Sequence, residues 1–261
     1  MVGDSNWQEA FKPKARWLVL VDLESTCSDL KKPILGEAVI GKGEGEVIEI
    51  GAVIIDLEQQ VRPRGFRTFV RPIGNPILTS YCTKLTKITQ PQVDAAPSFT
   101  DASAALAEFL APLNDLEGGW AWASWGQSDL DVLDSTAARY GITHPLPADH
   151  HYNLKGVFAG IRGGEEGIGP AMERLAVKLH GKPHRALSDA CNLARFYPVM
   201  RRYAIAQAAA ERWGLDRARE WMRENTPVLD GKRPAILMHN DDELAEVLAV
   251  IEPTPAMEDA P

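Results

Sequence analysis

Two carboxylates, Asp22 and Glu24, stand two residues apart at the end of a short apolar run, residues 17–21, Trp-Leu-Val-Leu-Val. On a strand, residues i and i+2 point to the same face. Two ionised carboxylates cannot share apolar surroundings without compensation. A divalent cation is one form of compensation, and hard oxygen donors suit Mg²⁺ or Mn²⁺. Read alone, the triplet fits two surface acids on a solvated strand end better, since Asp-x-Glu is a common triplet. A third acid, Asp129, follows Trp125-Gly126-Gln127-Ser128 and stands where a helix N-cap belongs. His184 then precedes Asp189 by five residues, near the start of an apolar helix. If His184 lies on the lead-in loop, both side chains can face one cleft. Singly, a cap, a surface His and a helix-face acid account for these residues. Together, four acids and one His at element boundaries are a candidate site for metal-assisted chemistry.

These residues need a frame to bring them together. The apolar run 17–21 suits a strand buried on both faces. Residues 28–45 are rich in Gly, Lys and Glu and read as a loop. Residues 46–56 are β-branched and strand-like, and 66–71 suggest a third strand after the turn Arg62-Pro63-Arg64-Gly65. With no helix signal between them, these three strands predict an antiparallel meander. Strand and helix signals then alternate. Helices are expected at 98–112, 128–140, 170–180 and 186–204, and strands at 119–125 and 150–155. The expected fold is α/β: a mixed sheet of about five strands with flanking helices. Residues 15–204 form the expected domain. Residues 205–261 read as a C-terminal extension: a helix at 205–223, a short helix at 241–251, and an acidic, Pro-containing tail without order from Glu252.

Composition bounds the function without choosing it. The 261 residues are 45% hydrophobic and 25% charged, as in ordinary globular proteins. No apolar run reaches the roughly 18 residues of a membrane span. The polar N-terminus lacks the apolar core of a signal peptide, so the expected location is cytoplasmic, with no membrane partner. The net charge is −8, but residues 224–261 hold nine acidic and two basic residues. The remaining chain carries −1, which leaves room for a basic groove. The acidic segment reads as a surface appendage, dispensable for chemistry and a possible place for a protein partner. Cys27, Cys82 and Cys191 form no Cys-x-x-Cys pair and read as buried free thiols. Trp120 and Trp122 share a strand face and suggest core packing. His144, His150 and His151 lack a partner motif for zinc and read as surface loop residues.

The order and spacing of Asp22, Glu24, Asp129, His184 and Asp189 resemble the DEDDh, or DnaQ-like, exonucleases. Asp22 and Glu24 fit that family's first motif, Asp129 its second, and His184 with Asp189 its third. The likeness is closer to the Eri-type group, which trims RNA 3′ ends. Asp22-Leu23-Glu24-Ser25-Thr26-Cys27 resembles its opening motif, and Glu46-Val47-Ile48-Glu49-Ile50 its second strand. The stretch from Tyr81 through Gln90 is similar to its Phe-Cys…Leu-Thr-x-Ile…Gln segment. Gly181-Lys182-Pro183-His184 and Asp189-Ala190-Cys191-Asn192-Leu193-Ala194-Arg195 resemble its third-motif segment. The likeness covers roughly residues 15–200. Two features depart from it: a long 28–45 loop, and Ser188 where the group often has the first acid of an Asp-Asp pair.

The resemblance implies an RNase H-like fold and metal-dependent 3′→5′ exonuclease activity. It implies two divalent cations, Mg²⁺ or Mn²⁺, about 3.5–4 Å apart. Asp22 would ligate both, Glu24 and Asp189 would complete the first, and Asp129 would act mainly on the second. His184 would accept the proton of the attacking water, and an ordinary His pKa of about 6.5 suits that role. Leu85, Thr86, Lys87 and Ile88 could lie beside the terminal nucleotide, although core packing of Leu85 and Ile88 is an equal reading. The expected substrate is nucleic acid with a free, single-stranded 3′ end, RNA preferred and DNA possible. Competing readings are DNA 3′-end trimming, a proofreading subunit of a polymerase, and an inactive nucleic-acid-binding adaptor of the same fold.

Overall fold

A computed structural model describes residues 15–41, 43–58, 63–234, 247, 250 and 251. Its centre is β1 (Trp17–Ser25), flanked by β2 (Val47–Asp56) and, beyond it, β3 (Arg64–Phe69). β4 (Trp120–Ser124) and β5 (His151–Asn153) lie on the other side. The sheet order is β3-β2-β1-β4-β5. β1–β2 and β2–β3 pair antiparallel, and β1–β4 and β4–β5 pair parallel. The expected meander and five-stranded mixed sheet are both present.

β1 is apolar on consecutive residues because both of its faces are covered. Leu18 and Leu20 pack on one side, in a core shared with α5 (Leu154–Arg162), α6 (Ile168–Arg174), α7 (Ala186–Trp213) and α8 (Leu215–Trp221). Val19 and Val21 pack on the other side, against α3 (Phe99–Leu110) and α4 (Ser128–Tyr140). A third, smaller core joins Ile48 of β2 to α1 (Ser80–Thr86) and α2 (Gln90–Asp94).

Several expectations shift. The helix predicted over 170–180 stops at Arg174. Ala176, Gly181 and His184 then adopt positive φ of 56°, 76° and 57°, which a helix cannot contain. The helix expected to end at 204 runs on to Trp213 without a break, across the expected domain boundary. Leu229, Val247 and Ile251 are buried in the same core as Leu18. Described residues beyond 223 therefore supply core packing, and this part of the segment is not the surface appendage that its charge suggests. Most of the helix expected at 241–251, and the tail from Glu252, lie outside the described residues. No helix among the described residues is long and apolar enough to cross a membrane.

The minor sites resolve simply. Cys27 is half-buried and Cys82 buried, but Cys191 is exposed, against expectation. The three histidines do not form a cluster. His144 pairs with Asp134 at 2.7 Å, and His151 stacks on buried Trp122 at 4.2 Å between centroids. His151 is thus half-buried rather than a free surface residue.

Candidate active site

The even positions of β1 face α7. Leu18 and Leu20 anchor that face in the core, and Asp22 and Glu24 continue it at the strand's end. In register, Asp22 pairs with Gly51 and Glu24 with Glu49. Gly51 is there because of the helix: a Cβ at this position would lie 2.2 Å from the carbonyl carbon of Ala186. The missing side chain lets the first turn of α7 approach the sheet, and that turn carries Asp189. Ligand oxygens of Asp22, Glu24 and Asp189 consequently lie within 4.8 Å of one another.

Glu49 fixes the same helix electrostatically. It is fully buried and accepts hydrogen bonds from Arg185 Nε at 3.0 Å, Arg185 Nη2 at 2.8 Å and the Ala186 N–H at 3.1 Å. Removing one partner of such a buried pair typically costs about 3–5 kcal/mol. Glu49 and Arg185 are 136 residues apart in sequence, and neither residue's type or local spacing announces the pairing. They are positioning residues that the sequence reading missed.

Asp129 arrives from the other side of β1. It is the second residue of α4 rather than its cap, since Gln127 occupies the N-cap. Its Oδ1 accepts the Leu23 N–H at 3.1 Å, which ties it directly to the strand between Asp22 and Glu24. Asp129 and Asp189 both sit in first turns, where the helix dipole favours negative charge. His184 is placed differently. It is exposed, in the loop before α7, and its backbone N–H donates to Asp189 Oδ2 at 2.8 Å.

The electrostatics are those of uncompensated carboxylates. Burial pushes Asp22 well above the usual carboxylate range, and the charges of Asp129, Glu24 and Asp189 add to it. Burial and then the charges of Asp189, Glu49 and Asp129 push Glu24 up to about 8. Burial raises Asp129 to about 6, against hydrogen bonds from the Leu23 N–H and the Ser124 side chain that pull it down. Asp189 is raised by burial and restrained by the His184 N–H. Glu49 has a guanidinium as neighbour, whereas Asp22 and Glu24 have other carboxylates. An all-oxygen donor set with unbalanced negative charge fits a hard divalent cation.

The segment expected beside a substrate divides in two. Thr86 and Ile88 are fully buried. Thr86 Oγ1 donates to the Cys82 carbonyl and accepts the Ile88 N–H, and Ile88 fills the third core. Both are therefore withdrawn from any ligand. Leu85 and Lys87 instead line a cavity of about 710 Å³ together with His184.

A model of the exonuclease family (RNase_T) matches residues 19–197. The 3′-5′ exonuclease eri1 of Schizosaccharomyces pombe is 29% identical over 217 residues, covering 71% of this chain and 68% of that protein. Human 3′-5′ exoribonuclease 1 is 25% identical over 203 residues, covering 75% of this chain and 54% of that protein, so the chain spans about half of that relative's length. Among solved structures, the nuclease domain of 3′hExo, a DEDDh family member bound to rAMP, superimposes with a TM-score of 0.61 at 23% identity. That superposition covers 71% of this chain and 90% of the other, and shows a shared fold. With the family model spanning the sheet, the acid cluster and the first turns of α7, the chain belongs to the exonuclease family.

Proposed function

We propose that this chain is a metal-dependent 3′→5′ exonuclease acting on single-stranded 3′ ends, with RNA cut at least as readily as DNA. The observation that carries this is the convergence of Asp22, Glu24 and Asp189 oxygens within 4.8 Å, with Asp129 bonded to the same strand. Similarity to the eri1 and 3′-5′ exoribonuclease 1 relatives supports the RNA half.

In this reading Asp22, Glu24, Asp129 and Asp189 hold two divalent cations, Mg²⁺ or Mn²⁺. Bound there, such cations would neutralise phosphate charge and stabilise the attacking and departing oxygens. Asp22 would serve both cations, Glu24 and Asp189 would help to hold one, and Asp129 would help to hold the other. His184 accepts the proton of the attacking water as that oxygen bonds to phosphorus. The bond to the 3′-oxygen of the preceding nucleotide breaks, that oxygen takes up a proton, and a nucleoside 5′-monophosphate leaves. Leu85 and Lys87 border the same space beside His184. A terminal nucleotide drawn from a duplex must first unstack, at a cost of a few kcal/mol. A single-stranded end avoids that cost.

The test is side-by-side digestion of matched 5′-labelled RNA and DNA oligonucleotides, single-stranded and blunt duplex, at one salt concentration. Mg²⁺ or Mn²⁺ should sustain stepwise shortening from the 3′ end, and a chelator should stop it. Undiminished cutting in chelator removes the metal-dependent reading. Clearly faster cutting of DNA removes the RNA half, and equal rates on blunt duplexes remove the single-strand half.

A further inference from the structure

A cavity of about 350 Å³ opens between β3 and the first turn of α7, and none of the four carboxylates of the acid cluster lines it. Arg67, Lys182 and Arg185 border it, together with His180 and the hydroxyl-bearing Ser188. No carboxylate stands in its lining among the described residues. The acid behind it is the fully buried Glu49, which meets both guanidiniums: Arg185 through Nε and Nη2, and Arg67 through Nε at 3.6 Å. Glu24 attracts Arg185 as well, less strongly than Glu49 does, from within the acid cluster. Three cations thus share the one carboxylate of Glu49, and the cavity keeps a net charge of about +2.

These cations are held in place before any ligand arrives, which lowers the cost of binding. Arg67 and Arg185 both lie over the Phe69 ring, 5.2 and 5.5 Å from its centroid. Lys182 stands on the lead-in stretch 180–184, which is pinned at both ends. Buried Asn192 bonds the N–H and the carbonyl of His180 at 2.9 and 3.0 Å, and Asp189 accepts the N–H of His184. Gly181 lets that stretch lie close on α7, since a Cβ there would stand 2.7 Å from Ser188 Oγ. Glu49 engages Nε and Nη2 of Arg185, and Nη1 has no hydrogen-bond partner among the described residues. The Arg185 side chain is only 17% exposed, so a charge that meets it is weakly screened by water.

We propose that this cavity is a binding site for a phosphate monoester dianion, separate from the acid cluster. Such a group carries about −1.5 to −2 at pH 7, which matches the charge of the cavity. Its three terminal oxygens can take a guanidinium fork and an ammonium at once. A backbone diester carries one charge and two free oxygens, so the lining favours the monoester. Inorganic phosphate and a free nucleoside 5′-monophosphate both present this chemistry. The volume stands at the lower end of the range of small-ligand sites, roughly 300–1,000 Å³, and admits either. Because no acid-cluster residue lines the cavity, the dianion needs no divalent cation to bind, and the site stands whether or not the exonuclease reading holds.

The experiment is calorimetry on the full chain, stripped of metal and dialysed, so that the acid cluster repels phosphate and cannot bind it through a cation. The ligands are inorganic phosphate, adenosine 5′-monophosphate, adenosine and the dinucleoside monophosphate ApA. The two monoester dianions should bind at one site per chain, and adenosine and ApA at least about 10-fold more weakly, the loss expected from one charge-assisted hydrogen bond. Equal affinity for the two names phosphate alone as the ligand, and tighter binding of the monophosphate names the nucleotide. Lys182→Ala should weaken binding about 10-fold, and Arg67→Ala/Lys182→Ala about 10²-fold. Arg67→Lys keeps the charge without the fork and should weaken it less than Arg67→Ala does. Lys84→Ala, which borders the cavity beside His184 and not this one, should bind as the wild type does. No binding of either dianion to the wild type, ApA bound as tightly as the monophosphate, or wild-type affinity in the double variant overturns the site. Lost binding in Lys84→Ala moves the anion to the cavity beside His184 and also overturns it. Metal-dependent digestion judges the exonuclease reading separately, so either can fail alone.

Discussion

The carboxylates and the rim of the site are built by opposite means. Asp22 and Glu24 stand on the central strand, and Asp129 and Asp189 stand in the first turns of helices packed against it. His184 and Lys87 stand outside regular structure, and both adopt positive φ, 57° and 61°. Such conformations cost a non-glycine residue of order 1–3 kcal/mol and persist only where surroundings impose them. At His184 the imposing contact is the bond from its N–H to Asp189. At Lys87 it is the bond from its N–H to the Thr83 carbonyl, closing α1. The contrast teaches a division of labour. Groups that repel one another need carriers stiff enough to hold them together. Groups on the rim can sit on turns pinned by one or two hydrogen bonds.

The largest effects should come from the stiff half. Asp22→Ala, Glu24→Ala, Asp129→Ala and Asp189→Ala should each lose measurable hydrolysis while circular dichroism shows a folded protein. Near wild-type turnover in any of them takes that residue out of the site. The rim should give a smaller loss. His184→Ala should keep cation binding, read by calorimetry, and slow turnover by roughly 10²–10⁴-fold, the usual worth of a general base. If that variant instead loses cation binding with its activity, the two halves are not separable and the comparison breaks.

The smallest effect is on stability and follows from the raised pKa values. In the cation-free protein Glu24 is held up to about 8 and Asp129 up to about 6, against about 4 in an unfolded chain. The folded state therefore keeps protons that the unfolded chain releases across this interval. That contribution is full at low pH and is lost as pH rises through the folded values. Melting in chelator should accordingly fall between about pH 4 and pH 8. Mg²⁺ or Mn²⁺ binds the deprotonated carboxylates and should raise the melting temperature more at pH 8 than at pH 5. Equal cation effects at both pH values would remove the carboxylates as the origin.

The parts of the site that were readable in sequence are those with local periodicity. Asp22 and Glu24 share a face because strands repeat every two residues. α4 matches its expected span, 128–140, because a long amphipathic helix signals itself. α1 and α2, of seven and five residues, are too short to show a period. α5 begins where β5 ends, at Leu154, and its start was absorbed into the expected strand. The Glu49–Arg185 pair and the contact of Gly51 with Ala186 join segments more than 130 residues apart, so no local pattern encodes them. The charge of the C-terminal segment misled in a different way. Its acids dominate the composition, while the apolar residues that join the core, Leu229, Val247 and Ile251 among those described, are scattered singly among them.

That burial has a consequence for how the chain is made. Leu18 and Leu20 belong to one core with Val247 and Ile251. A ribosome adding about 5–20 residues per second takes roughly 10–50 s to travel from the first of these positions to the last. Throughout that time the α7-facing side of β1 lacks its final cover, and the turn bearing Asp189 has been synthesised long before the core beneath its helix is closed. The nascent protein must therefore keep an apolar strand from its neighbours while it waits. The acids that dominate the closing segment arrive with that cover, so they add like-charge repulsion between adjacent chains only once it has been made.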